Sequence, residues 1–537
     1  MLKKVLPLVC LLCCQSLFAQ QNTLYNPSID VQHYVFQAQV SDANDSLIGK
    51  TLITVRFTEK VKTVFFDLAN VNDTGRGMVI TAIKEKGKPL AFTHQKDLVH
   101  ITLADSAAVG SVSTYTIEYK GIPADGLIIS KNKFGRRTFF SDHWPNRARY
   151  WLPCKDHLSD KASVEFVITA PDHYKVVSNG VRTKEIQLPQ HLRRTHWIET
   201  VALPTKVMAV GIADFAITEA GEVSGIPVAS WVYPENREQA FYDYAQATEI
   251  LPFFIQRVGA YPYHKLANVQ SKTIFGGMEN AGAIFYAENT ITGKKQMEEL
   301  LTHEIAHQWF GNSATETDWP HLWLSEGFAT AMTHLYMEYR HGKDTLISRL
   351  QKDRDTVLAF TKIKKTGVID IRGRTNPMAM LNAHSYQKGG WVLLMLRNEV
   401  GDTVFWKAIR SYYAAYNGRN ASTKDLRKVF ESVSGKNLQQ FFTQWLYTPE
   451  NPDLQISWQY NASLKQIDLS ITQLTETKFS FALELDYIDG QGKKTRTKIP
   501  VNQRKVMVPI PVQSRPVQIV ADPDCRLLAE IAVKEIK

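Results

Sequence analysis

The amino-acid sequence predicts an α+β multidomain chain: an N-terminal antiparallel β domain, a mostly helical middle domain and a small C-terminal β-sandwich. Three observations predict it. Between about residues 30 and 215 apolar and polar residues alternate with period two, from about 235 the period becomes helical, and after Asn451-Pro452 the alternation returns. The boundaries expected are 1–19, 20–215, 216–450 and 451–537.

Met1 to Ala19 has the three parts of an export signal. Lys3 and Lys4 carry charge, Val5 to Phe18 is apolar, and the small Ala19 precedes a cut at Gln20. The run is too short for a comfortable membrane span, so the expectation is an exported, periplasmic or secreted protein whose mature chain carries no integral span. Three of the five cysteines leave with the signal, and Cys154 and Cys525 stay as buried free thiols or as one disulfide.

The β domain is read from segments such as Tyr34–Val40, Leu52–Phe57 and Thr114–Tyr119, in which β-branched and aromatic residues alternate with polar ones between Gly, Asn and Asp turns. The middle domain is read from Arg237–Val258, Lys295–Asn312, Leu322–Tyr339 and further segments to 446, with apolar residues three and four apart. Leu464–Ile471 and Phe479–Tyr487 are strands of the sandwich. With 44% hydrophobic and 22% charged residues the chain builds real cores and is not a disordered tail. The net charge of +10 is scattered without a dense Arg/Lys stripe, so no nucleic-acid partner is expected.

The sharpest motif is His303-Glu304-Ile305-Ala306-His307. Histidines four apart point from one helix face toward one ion, and Glu304 is angled toward water on that ion. Zinc with three protein ligands leaves a position open for chemistry. Glu326, eighteen residues past His307 in Trp323-Leu324-Ser325-Glu326-Gly327-Phe328-Ala329, opens the next helix and supplies the third ligand. One zinc held by His303, His307 and Glu326, with Glu304 as general base, is the expected site.

Gly276-Gly277-Met278-Glu279-Asn280 lies upstream after an extended stretch, Leu266–Phe275. Adjacent glycines admit a second backbone, as when a peptide adds a strand to a sheet edge. Glu279 then offers a carboxylate to a free α-ammonium, which measures one residue from the chain end and gives exopeptidase action on peptides with a free N-terminus.

Taken together, Gly-Gly-Met-Glu-Asn, His-Glu-x-x-His and a glutamate eighteen residues on are similar to the M1 (gluzincin) family of zinc aminopeptidases. The resemblance covers nearly all of the mature chain, including Ser178-Asn179-Gly180, Val210 to Phe215 and Gln444-Trp445-Leu446 before Asn451-Pro452-Asp453-Leu454. It implies a thermolysin-like catalytic domain. It also implies that Tyr386, in Tyr386-Gln387-Lys388-Gly389, hydrogen-bonds the oxyanion. The family usually carries a Gln or Glu before a Pro-Cys-x-Asp segment to help hold the amine. Counting back from Pro153-Cys154-Lys155-Asp156 puts Trp144 there, beside Asp142 and His143, so the amine rests on Glu279 alone or borrows Asp142. The large helical C-terminal domain of many members is expected to be missing, which leaves a more open cleft. The rival readings are a zinc endopeptidase, a family-related epoxide hydrolase and, from a different class, a non-catalytic peptide-binding module.

Overall fold

A computed structural model describes residues 26–536. The signal-like segment Met1–Ala19 lies outside the described residues. In the N-terminal region, Ile29–Gln39 buries alternate residues and lies near the centre of an eight-stranded sheet. It pairs antiparallel with Leu47–Phe57 (Tyr34 opposite Ile53) and parallel with Ala162–Pro171 (Tyr34 opposite Val164). The parallel pair corrects the expectation of a wholly antiparallel domain. Period-two alternation reports which face of a strand is buried and is blind to strand direction. A four-stranded sheet and a three-stranded sheet complete this region.

At residue 216 the chain starts a different sheet. Its order is Ala216–Val223, Ile226–Val232, Leu266–Ser271, Ala283–Ala287 and Gly277–Met278. The short strand Gly277–Met278 is therefore an edge. It pairs with Ala283–Ala287 on one side only (Gly277 opposite Tyr286, Met278 opposite Phe285). An edge strand presents unpaired backbone N–H and C=O groups, the template another extended chain needs.

The helices follow. The predicted helix Arg237–Val258 is two, α1 (Arg237–Tyr244) and α2 (Ala247–Arg257). Ala245 and Gln246 between them keep helical dihedrals, and while the Ala245 N–H still reaches the Phe241 carbonyl four back, that of Gln246 tightens to Asp243 three back, so the apolar spacing runs on through the break. Helix α3 (Glu298–His307) is shorter than expected. Lys295 turns left-handed at φ 57° and gives its N–H to the Asp243 carboxylate (2.8 Å), which blocks an earlier start. Helix α4 (Trp323–His341) buries every residue from Trp323 to Tyr336 and is the axis of the helical region. Around it lie α5 (Lys343–Ile363), α6 (Gly389–Val400), α7 (Asp402–Tyr416) and α8 (Thr423–Ser434).

Helices α4 and α6 come closest at a pair of glycines. A Cβ on Gly327 would sit 2.8 Å from the Gly389 Cα, so neither position accepts a side chain while the two helices stay where they are. That contact brings the start of α4, with Glu326, against the π-helical turn His384–Lys388 that carries Tyr386.

The C-terminal region packs a four-stranded sheet with a three-stranded one. Gln444 clasps it by donating to the Ser480 carbonyl (2.7 Å) and accepting from the Ser480 N–H (2.9 Å). Cys154 and Cys525 are both buried free thiols, in different regions. Among the described residues no helix is long and apolar enough to cross a membrane.

Candidate active site

A cleft of about 260 Å³ opens where the edge strand, α3, α4 and the π-helical turn meet. Its walls include Gly276, Gly277, Met278, Glu279, His303, Glu304, His307, Glu326 and Tyr386. Nine of the ten residues singled out from the sequence thus share one cavity. The tenth, Asn280, is buried next to Glu279, and its amide atoms have no hydrogen-bond partner among the described residues.

Three of these groups converge. The Nε2 atoms of His303 and His307 are 3.2 Å apart, and Glu326 Oε2 lies 3.4 Å from the first and 3.3 Å from the second. A tetrahedral zinc site with bonds of about 2.0–2.1 Å places its donors about 3.3–3.4 Å apart, so the triangle has the size such an ion needs. The backs of the ligands are also fixed. Phe310 O lies 3.1 Å from His307 Nδ1, with Ser325 Oγ equally near, which keeps the Nε2 lone pair facing the site when Nδ1 carries the proton. Burial holds His303 below the usual histidine range, the neutral form a ligand requires. Burial opposes ionisation of Glu326 too, but the two imidazoles outweigh it and hold the carboxyl well below its ordinary value. Burial would also lower His307, yet Glu326, Glu279 and Glu304 push it up to about 10.

Glu304 sits over Gly277. A Cβ on Gly277 would fall 2.3 Å from Glu304 Oε1, so this glycine is required by the chain's own carboxylate. At Gly276 the nearest atom to an added Cβ is Leu300 Cδ1 at 4.0 Å, so the space beside that glycine is open. Burial, reinforced by Glu279 and Glu326, raises the Glu304 carboxyl to about 8, where it both takes and gives a proton near neutral pH.

Glu279 is held from behind through its backbone. Its carbonyl accepts from Gln308 Nε2 (2.9 Å) and Asn312 Nδ2 (2.6 Å), which fastens the edge strand to the end of α3. Its carboxylate Oε1 has no hydrogen-bond partner, and burial raises its pKa. Gln308 and Asn312 were not singled out from the sequence. Their signal was weak, two polar residues following a zinc-type motif at helical spacing. Tyr386 stacks on His303 with ring centroids 5.9 Å apart and planes 12° apart. Burial and the three glutamates push its phenol well above the usual value, so it remains a donor.

Asp142 is committed elsewhere. Its carboxylate accepts from the Arg147 guanidinium and, on the other oxygen, from Thr273 Oγ1 (3.0 Å) and the Ile274 N–H (3.2 Å). Trp144 lines the cleft in its stead.

Comparison with known proteins agrees with this arrangement. Residues 242–445 match the Peptidase family M1 domain, and residues 30–207 match the Peptidase M1 N-terminal domain. The chain belongs to peptidase family M1. Similar proteins include rat glutamyl aminopeptidase, 23% identical over 475 residues that make up 81% of this chain and 49% of that one. Human endoplasmic reticulum aminopeptidase 2 is 30% identical over 321 residues, 56% of this chain and 33% of that one. The chain therefore spans about half the length, or less, of these curated relatives. Among solved structures, an M1 zinc metallopeptidase from Deinococcus radiodurans superimposes with a TM-score of 0.66 at 24% identity, over 79% of this chain and 95% of that one, a likeness of fold.

Proposed function

We propose that this M1 chain is a zinc-dependent aminopeptidase that releases single residues from the free N-terminus of peptides. One observation carries the reading: the triad of ligand atoms, a raised carboxyl and a carboxylate with an unpaired oxygen line the same small cleft. The relatives' names point the same way.

His303, His307 and Glu326 hold the metal. Zinc bound there supplies Lewis acidity, which acidifies water toward neutral pH and draws charge from a carbonyl oxygen. Glu279 pairs with the substrate ammonium, and the free edge of Gly277–Met278 takes the substrate backbone as an added strand. Glu304 removes the proton from the attacking water and returns it to the leaving nitrogen. The Tyr386 hydroxyl donates to the oxygen on which negative charge develops, a position where a preorganised donor is most effective. With these residues anchoring the amine one residue from the scissile bond, the products are a free amino acid and a shortened peptide.

The deciding experiment is hydrolysis of aminoacyl chromogenic amides by the full chain, with and without chelator and after zinc restoration. Activity lost on chelation and recovered with zinc supports the reading, and equal cleavage of free and acetylated peptides refutes the exopeptidase part. The name glutamyl aminopeptidase assigns an acidic residue to those relatives, but what this cleft accepts is set by its own walls. We also read Met1–Ala19 as an export signal. N-terminal sequencing of the protein recovered outside the cytoplasm tests it, and an intact Met1 there refutes it.

A further inference from the structure

Once the metal ligands, Glu304, Glu279 and Tyr386 are set aside, the side chains left on the cleft wall are Trp144, Phe275, Met278, Leu300 and Leu381. All are apolar, and among the described residues no lysine or arginine lines the cleft. Two of them are built in with unusual care. Trp144 is 3% exposed and meets Phe275 edge to face (centroids 5.9 Å apart) and Trp319 likewise (5.4 Å). Arg147 grips both. Its Nε donates to the Trp144 carbonyl (2.7 Å), and its guanidinium lies 6.0 Å from the Phe275 ring centre.

Two cations lie behind this wall and both are committed: Lys206 Nζ donates to Glu316 (2.5 Å), and the charge of Arg147 is already taken. Asp142 accepts from one of its terminal nitrogens and Asp125 from the other (3.0 Å). Asp142 in turn ties down Thr273 and Ile274, the two residues that lead into Phe275. The pair thus acts as a brace behind an aromatic wall whose geometry is fixed before any ligand arrives.

Resting on the aminopeptidase reading, we infer that Trp144 and Phe275, braced by Asp142–Arg147, form the specificity-determining wall for the first side chain, and that the substrates are peptides beginning with a large apolar or aromatic residue. Apolar area gained against such a wall favours leucine, methionine and phenylalanine. A carboxylate against that wall meets no lysine or arginine among the described residues and shares the cleft with Glu279, Glu304 and Glu326, so glutamate and aspartate are disfavoured. Trp144 and Phe275 are wall residues that touch the substrate, whereas Asp142 and Arg147 are positioning residues.

The test is a panel of phenylalanine, leucine, alanine, lysine and glutamate amides, together with calorimetry of the phenylalanine, leucine and glutamate hydroxamic acids on the zinc-loaded full chain. The expected kcat/KM for phenylalanine and leucine exceeds that for glutamate by at least about 10²-fold, since the site has no partner for the buried charge. The leucine and phenylalanine hydroxamates should bind at least about tenfold tighter than the glutamate one. Trp144→Ala should lower the phenylalanine-to-alanine ratio of kcat/KM at least about fivefold, with zinc content and circular dichroism reporting its folding, and Trp144→Phe should restore most of that ratio. If no amide is cleaved, the aminopeptidase reading fails, and the hydroxamate affinities still judge the wall. Glutamate within tenfold of leucine in either assay, or a phenylalanine-to-alanine ratio unmoved in a folded Trp144→Ala protein, overturns the inference.

Discussion

Two clusters of buried charge in this molecule are made of similar groups and do opposite things. In the N-terminal region Arg149 lies 2.9 Å from Asp67 and 3.3 Å from Asp156, and Lys155 lies 2.8 Å from Asp160. Asp156 also accepts from Thr205 Oγ1 (2.6 Å), and its backbone N–H donates to Asp67 (2.9 Å). Every acid there touches a cation. In the cleft Glu279, Glu304 and Glu326 are equally buried, but among the described residues their only ion pairs are with the two imidazoles, and both sit at a single carboxylate. The first cluster is complete and fastens strands together. The second leaves the Glu279 and Glu304 carboxyls without an ion-pair partner, so burial raises both, and a cation from outside is what completes them. Function here is legible as incomplete neutralisation.

The contrast is broken most sharply at Glu304. Glu304→Gln keeps the ligand triangle and removes the proton acceptor, so kcat should fall by about 10² to 10⁴-fold while bound zinc stays near one per chain, read by single-turnover assays and metal analysis. Near-normal turnover would reject its role as base. The complementary change is Arg149→Met, which strands two buried carboxylates. It should cost about 3–5 kcal/mol of stability in denaturant unfolding, yet leave KM and zinc content of the folded fraction unaltered. A fall in zinc content without loss of stability would mean that the two clusters are not separate. Glu279→Ala removes only the amine partner. Peptides with a free N-terminus should lose about 10²-fold in kcat/KM, the size of a charge-assisted contact in a dry site, while acetylated peptides change little.

How far the sequence carried depends on whether a feature is local. The metal ligands were legible because helical geometry places His303 and His307 on one face without reference to the rest of the fold, and Glu326 needed only the next helix. The β–helical–β order was legible because burial writes its period into every segment. The parallel pairing of Ile29–Gln39 with Ala162–Pro171 was not, since their side chains alternate alike in either direction. Asn280 follows Glu279 past the end of the edge strand, where the chain turns into the interior, and a motif in sequence does not show where that turn falls. Trp144 was visible only as a departure from an expected Gln or Glu. That it forms a wall depends on Phe275 and Trp319, which are 131 and 175 positions away. Gly277 was assigned to a substrate backbone, whereas its missing Cβ makes room for Glu304.

That last correction is testable on a smaller scale. A Cβ at residue 277 meets the Glu304 side chain from Oε1 to Cγ (2.3 to 2.6 Å) and no backbone atom among its nearest neighbours, so Gly277→Ala should fold but displace the base, lowering kcat by about tenfold with less effect on KM. A Tm drop comparable to that of Arg149→Met would show instead that the glycine serves backbone geometry.

Lys388 offers the mildest and most informative comparison, because it is an unbalanced buried charge outside the cleft. It is fully buried, among the described residues its Nζ donates only to the Glu450 carbonyl (3.3 Å), and burial pulls its pKa from 10.5 to about 7. With no ligand to complete it, such a group gives up its proton. Between about pH 7 and 10.5 the unfolded chain holds a proton that the folded chain has released, so folded-state stability rises with pH through that window, by at most about 1.4 kcal/mol per unit. Below pH 7 both states are protonated, and the cost of burying the ammonium stands in full. Lys388→Met removes this dependence. Its Tm should therefore exceed that of the parent by the most at pH 7, and the gap should shrink steadily toward pH 10, as followed by calorimetry on zinc-loaded protein. A gap constant with pH would mean that the lysine finds a counter-charge in the folded state, and the distinction between a cleft that recruits a cation and a core that sheds a proton would not hold.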